Sequence, residues 1–191
     1  MSYIRREVTY FSQPGPQNTD EVLRLARKRA EELGIRDIVV ASTSGETGVK
    51  ASEVFKGFNL VVVSHSTGFK KPGEQRMSEE NRRRIIENGG KVITGTEVFL
   101  GVGRAIRDRF GTAYPTEIMA QTLRLFGQGT KVAVEITAMA ADAGLIPVDR
   151  DVIAIGGTRS GADTALVIKP ANSLRIFDMV VREVIAKPRA V

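Results

Sequence analysis

The 191-residue chain contains no cysteine, no tryptophan and a single histidine. Without thiols there is no disulfide, no thiolate metal site, no iron–sulfur cluster and no cysteine nucleophile. One histidine excludes a multi-histidine metal cage, and no metal site is expected. Any redox role would have to come from a bound cofactor, since the chain has no thiol to supply it. Long apolar runs are missing as well: no stretch reaches the ~18 residues that cross a bilayer. The opening residues, MSYIRREVTYF, carry no apolar core of a secretory signal. A cytoplasmic protein without membrane contact is the expectation.

The rest of the composition is globular. Hydrophobic residues make up 42% and charged residues 26%, which excludes a largely disordered chain. A chain of this size buries roughly 70% of its unfolded surface, enough for a core without staples. One domain over residues 1–191 is expected. The net charge of +6 makes nucleic acid a partner to test. That charge is spread out, however. Residues 1–34 carry +1, residues 35–95 carry +3, residues 96–147 carry zero net and residues 148–191 carry +2. The dense basic run Arg82-Arg83-Arg84 is interleaved with Glu79, Glu80 and Glu87, the pattern of a solvated helix face. No basic strand is interleaved with aromatics, so nucleic acid is not expected as a partner.

Hydrophobic period and turn residues predict alternating strands and helices. Val8 to Phe11 is β-prone and ends at the Gln13-Pro14-Gly15-Pro16 turn. Asn18 fits a helix N-cap, with Glu21 completing a capping box, and Val22, Leu23, Ala26, Ala30 and Leu33 recur at helical spacing before Gly34. Ile38 to Ala41 reads as a strand covered on both faces. A polar loop over Ser42 to Gly48 leads into a helix from about Gly48 to Lys56, closed by Gly57. Leu60 to Val63 is a second buried strand, and His65 to Glu74 a long polar loop. Ser78 caps a helix that stops at Gly89-Gly90, and Val92-Ile93 is a third strand. Such alternation predicts a parallel sheet. Residues 96–145 depart from it. Val98, Phe99, Val102, Ala105 and Ile106 fit one helix, and Pro115 opens another through Phe126. Lys131 to Ala143 fits both periods; its length, its alanines and the stop at Gly144 favour a helix. Val152 to Ile155 and Ala165 to Ile168 are strands joined without a helix, hence antiparallel neighbours, and Val180 to Ala186 reads as a closing edge strand. The fold class is α/β, with a mostly parallel, mixed sheet.

Three polar, glycine-bearing loops follow strands: Ser42 to Gly48, Ser64 to Phe69 and Gly156 to Asp163. In an open parallel sheet all three emerge at the carboxyl edge, where ligands bind at a topological switch point. The first loop suits an anion, because glycine permits close approach, hydroxyls add donors and the next helix offers free N–H groups. A capping turn without a ligand explains it equally well. It lacks a Gly-Lys-Ser/Thr ending and is no Walker loop. Glu46 would repel a phosphate unless it faced outward or toward a ligand hydroxyl. In the third loop Arg159 is the one fixed cation, beside Ser160 and Thr164, suited to phosphate or to a solvated hairpin tip. His65 is the one side chain poised for proton transfer near neutral pH, although no carboxylate lies in obvious sequence reach. Glu135 and Asp142 share a helix face, which reads more readily as solvated than as ligand-binding. Gly101-Val102-Gly103 lies inside a helical pattern and is not a dinucleotide fingerprint.

Val39-Val40-Ala41-Ser42-Thr43-Ser44-Gly45-Glu46-Thr47 resembles the phosphate loop of the pyruvate kinase C-terminal domain, and Ile153 to Gly161 resembles its later Arg-bearing loop. The whole chain is similar to a family of stand-alone, mainly archaeal proteins with that pyruvate kinase alpha/beta domain fold. The matching motifs are Pro14-Gly15-Pro16-Gln17-Asn18-Thr19, His65-Ser66-Thr67-Gly68-Phe69, Val134 to Asp142 and Gly161-Ala162-Asp163-Thr164-Ala165. The resemblance implies a three-layer α/β/α fold with FMN or a similar small phosphorylated ligand at the carboxyl edge. The phosphate would lie on Ser42, Thr43, Ser44, Gly45, Glu46 and Thr47. The ring would lie near His65, Thr67, Gly68, Phe69, Glu135 and the loop of Gly156, Gly157, Arg159, Ser160, Gly161, Ala162, Asp163 and Thr164. The kinase catalytic barrel is absent, so kinase activity is not implied, and Glu46 stands where the kinase loop has Arg. Two functions remain open: a flavoprotein of unspecified reaction, or a non-catalytic module sensing a phosphorylated metabolite. A homo-oligomer is compatible with either.

Overall fold

The computed structural model describes residues 3–190. Its strands are β1 (Thr9–Phe11), β2 (Asp37–Ala41), β3 (Asn59–Ser64), β4 (Lys91–Thr94), β5 (Val152–Gly156), β6 (Thr164–Lys169) and β7 (Val180–Pro188). Its α-helices are α1 (Thr19–Leu33), α2 (Glu46–Val54), α3 (Glu79–Glu87), α4 (Gly101–Phe110), α5 (Pro115–Arg124) and α6 (Gln128–Asp142). The strands form one sheet in the order β1-β7-β6-β5-β2-β3-β4. β2 pairs in parallel with β3 and β5, β3 with β4, and β1 with β7, while β6 runs antiparallel to both β5 and β7. The expected mixed, mostly parallel α/β sheet is therefore present, with helices on both faces.

The alternation of side chains across the strands separates two cores. Ile38, Val40, Leu60, Val62, Ile153 and Ile155 meet Val22, Leu23 and Ala26 of α1, Val49 and Phe55 of α2 and Ile85 of α3 on one face. Val39, Val61, Val63, Val152 and Ala154 meet Ala133, Ile136, Met139 and Ala140 of α6 on the other. Near-continuous apolar strands are what a sheet covered on both faces requires. The chain runs outward from β2 through β3 to β4, then returns along α6 to place β5 on the opposite side of β2. The reversal of strand order puts the switch point between the carboxyl ends of β2 and β5.

Several local expectations are refined. The Asn18–Glu21 capping box does not form: Pro16–Asn18 make a turn of 3-10 helix, Asn18 Nδ2 donates to the Gln13 carbonyl at 2.8 Å, and Glu21 is engaged by Arg24. α2 starts at Glu46, two residues before the expected Gly48, because Gly45 at φ 97° ends the loop there. α4 starts at Gly101, after Val98 and Phe99. Of the expected helix Lys131 to Ala143, Lys131 to Asp142 lies within α6 and Ala143 is its C-cap. Val180 to Ala186 is no edge at its far end, since Thr9 of β1 pairs with Ala186. No helix among the described residues is long and apolar enough to cross a membrane.

Candidate functional site

The loops that follow β2, β3 and β5 surround one cavity of about 650 Å³, within the range of roughly 300–1,000 Å³ common for small-molecule sites. The wall formed by the loop after β2 and the start of α2 is Ser42, Thr43, Ser44, Glu46 and Thr47. Ser42 is buried, and its Oγ accepts the Gly48 N–H at 3.0 Å. Ser44 Oγ accepts the Glu46 N–H at 3.4 Å. The first-turn amides of a helix have no intrahelical acceptor. Ser42 and Ser44 thus satisfy two of them, and Thr47 N–H is left without an acceptor among the described residues. Asn81 Nδ2 of α3 fixes the loop from outside by donating to the Ser44 carbonyl at 3.0 Å. Gly45 itself lies behind this wall. A Cβ there would sit 2.4 Å from Asn81 Cβ, so the left-handed turn and the close approach both demand glycine. Glu46 is exposed at the rim, consistent with an outward carboxylate.

Gly157, Arg159, Ser160 and Gly161 of the loop after β5 form the second wall. Arg159 holds a left-handed φ of 67°, unusual for a residue with a side chain. Gly156, Ala162, Asp163 and Thr164, expected in the site, do not line it. They are buried behind the loop and build it. Asp163 accepts the N–H groups of Gly15 at 3.0 Å and Thr158 at 3.1 Å, and the Thr164 hydroxyl at 2.9 Å. Ala162 N–H donates to Thr19 Oγ1 at 3.0 Å. The Pro14–Thr19 segment is thereby explained: it braces the Arg159 loop, and Thr19 reaches the cavity.

The third wall carries His65 and Phe69, stacked with centroids 4.1 Å apart and planes at 27°. Thr67 and Gly68 are exposed and do not line the cavity. Gln75 Nε2 donates to the His65 carbonyl at 3.1 Å and to Thr67 Oγ1 at 3.3 Å, which folds this loop back on itself. The carboxylate that seemed out of reach of His65 is Glu97, just past β4: His65 Nδ1 lies 2.9 Å from Glu97 Oε1. Glu97 is buried, which pushes its carboxyl up, but the bonds from His65 and the Ser66 amide prevail and hold it below the ordinary value.

The floor comes from α6. Glu135 is not solvated as expected: it is 4% exposed, accepts the Phe99 N–H at 2.9 Å and pairs with Lys131. The displaced start of α4 is the reason, because Phe99 folds over the helix instead of joining one. Asp142, seven residues on, stays apart from the cavity and accepts the Ser173 N–H at 2.9 Å. Lys131, Glu97, Lys50, Arg76 and Gln128 were not singled out by sequence, yet all line the cavity. Two of them had a signal. Lys131 is the one Lys or Arg inside the apolar α6 pattern, and Glu97 follows its strand as His65 follows β3.

These features define a doubly wound α/β domain, with its cavity at the switch point of the sheet. The chain belongs to the family described as "Pyruvate kinase, alpha/beta domain", whose profile matches residues 20–168. Among solved structures it is similar to an O-ureido-L-serine synthase variant with bound O-ureido-L-serine, at 22% identity over 66% of this chain and 39% of that chain, with a TM-score of 0.31. It is also similar to a hydrogen sulfide-producing enzyme variant in complex with an alpha-aminoacrylate intermediate, at 19% identity over 66% and 38%, with a TM-score of 0.29. The chain thus spans well under two thirds of the length of either enzyme.

Proposed function

We propose that this protein binds FMN or a closely similar phosphorylated ligand at the carboxyl edge of its sheet. The observation that carries the reading is the α2 N-terminus, with its hydroxyl-bearing loop, opening into a cavity of about 650 Å³. Helix dipole, free amide and hydroxyls together favour a phosphate there. The residues fit such a ligand at its other end too. The stacked His65–Phe69 pair supplies a flat aromatic wall, and Leu100, Val132, Ile136 and Met139 supply apolar surface. Thr43, Ser44 and Thr47 would hold the phosphate, Arg159 would add charge at the rim, and His65 and Phe69 would orient the ring.

A flavin, when bound, supplies hydride and single-electron transfer. The chain's own part is to bind the group, cover one ring face and place the His65 imidazole beside it. The spread of basic charge and its many local acid–base pairs favour a small anion over nucleic acid as partner. A membrane-free, cytoplasmic setting and kinship with stand-alone archaeal members of the family belong to the same proposal. The test is the visible absorbance of freshly purified protein, followed by titration of apoprotein into FMN. Flavin fluorescence should be quenched to saturation. A colourless protein that leaves FMN fluorescence unchanged would overturn the assignment.

A further inference from the structure

The cavity floor contains a cation that the protein itself satisfies only in part. The Lys131 side chain is 2% exposed. Its ammonium carries three N–H donors. Among the described residues it bonds one acceptor, Glu135, and its Nζ lies 5.7 Å from the Phe99 ring centroid. Buried donors left unmet are strongly unfavourable, so the remaining N–H groups are directed to whatever fills the cavity. Burial also pushes Lys131 below its ordinary pKa, against the pull of the Glu135 carboxylate.

The neighbouring charges decide what that acceptor is. Glu97 and Glu135 line the same cavity and are both buried. Among the buried groups, two carboxylates therefore stand against one ammonium, while His65 is already engaged by Glu97; the other cations that line the cavity, Lys50, Arg76 and Arg159, are exposed. A second anion at the floor would meet both carboxylates. A neutral carbonyl oxygen accepts from Lys131 and adds no negative charge. The anion has its own place, because α2 lies on the opposite face of the sheet from α6.

We propose that Lys131 is the specificity-determining residue of this cavity, donating to a neutral carbonyl oxygen at the end of the ligand away from its phosphate. The ligand class is then a phosphomonoester bearing a ketone, amide or imide, and sugar bisphosphates are rejected. This rests on the phosphate-loop reading above and adds the polarity of the ligand to it.

The test uses three probes on the full chain by calorimetry: FMN, a phosphomonoester with ring carbonyls; glycerol 3-phosphate, a phosphomonoester with none; and fructose 1,6-bisphosphate. The wild type should bind FMN, and should bind the bisphosphate no more tightly than glycerol 3-phosphate. The double variant Lys131→Met/Glu135→Gln replaces the ammonium, a charged donor, by at most a neutral amide donor without stranding a buried carboxylate, and the new amide oxygen still accepts the Phe99 N–H. It should weaken FMN about tenfold and leave glycerol 3-phosphate within about twofold. Unchanged FMN affinity in the folded variant overturns the inference. So does tight bisphosphate binding by the wild type, an arm that needs no variant. Wild type that binds none of the three brings down the phosphate-loop reading itself, and this inference with it.

Discussion

Asp163 and Arg159 lie four residues apart in one loop and do opposite work. Asp163 is fully buried and collects three donors that would otherwise be unsatisfied. Asp163→Ala should cost about 3 kcal/mol, seen as a lower urea midpoint at unchanged slope. An unchanged midpoint would show that the clamp is dispensable. Arg159 is exposed and held at a left-handed φ. Such a conformation costs a side-chain-bearing residue roughly 1 kcal/mol. Arg159→Gly should therefore leave stability equal or slightly higher while weakening phosphorylated ligands; a clear loss of stability would mean that the side chain braces the loop. Sequence alone showed a glycine-rich, Arg-bearing loop and placed both residues in the site. It had no means of showing that Asp163 faces inward, because one of its two partner amides belongs to Gly15, 148 positions away. Glu97 was missed for the same reason, since a 32-residue separation hides its contact with His65.

Among the elements, the start of α6 is packed tightly on β5 and β6. A Cβ on Gly156 would sit 2.4 Å from the Gly129 carbonyl oxygen, and one on Gly129 would sit 2.1 Å from Thr164 Oγ1. Backbone atoms cannot yield as a flexible side-chain tip can. Gly156→Ala should cost at least about 2 kcal/mol through overpacking, measured by thermal and urea unfolding. On the far side, Arg29 of α1 grips Glu183 of β7 with two bonds of 2.7 and 2.8 Å. The Arg29 guanidinium holds the Glu183 carboxyl below its ordinary value. Its folded pKa is thus lower than its unfolded value of about 4.3. The contact stabilises above that pH and is lost as pH falls through the folded value. Thermal melts between pH 7 and pH 3 should show a shallower acid decline in Glu183→Gln than in the wild type; parallel curves would contradict this. Element type was largely legible, because buried strands, Gly34 and Gly57 stops, the Ser78 cap and Pro115 are local signals. Ends shifted where tertiary contacts intervened, as when Phe99 left its helix to cover Glu135.

For the whole molecule, strand order decides where chemistry can happen. The strand order reverses between the parallel neighbours β2 and β5, and the loops leaving those strands line one cavity. Local pattern predicted that three polar loops share one edge. It did not predict the floor, because Lys131 and Glu135 sit on a helix whose period reads as apolar core. The missing cysteines retain their meaning at this scale: the cavity offers hydroxyls, amides, one imidazole and one buried ammonium, and electron transfer would require a bound group. On the function proposed above, this cavity takes a phosphorylated ligand, with FMN as the specific candidate. The most direct test is the unfolding temperature of purified protein across an FMN titration, read beside flavin fluorescence. Saturating quenching should accompany a rise in stability of about 2.7 kcal/mol at a hundredfold excess over Kd. Flat melting curves and unquenched FMN would contradict the account.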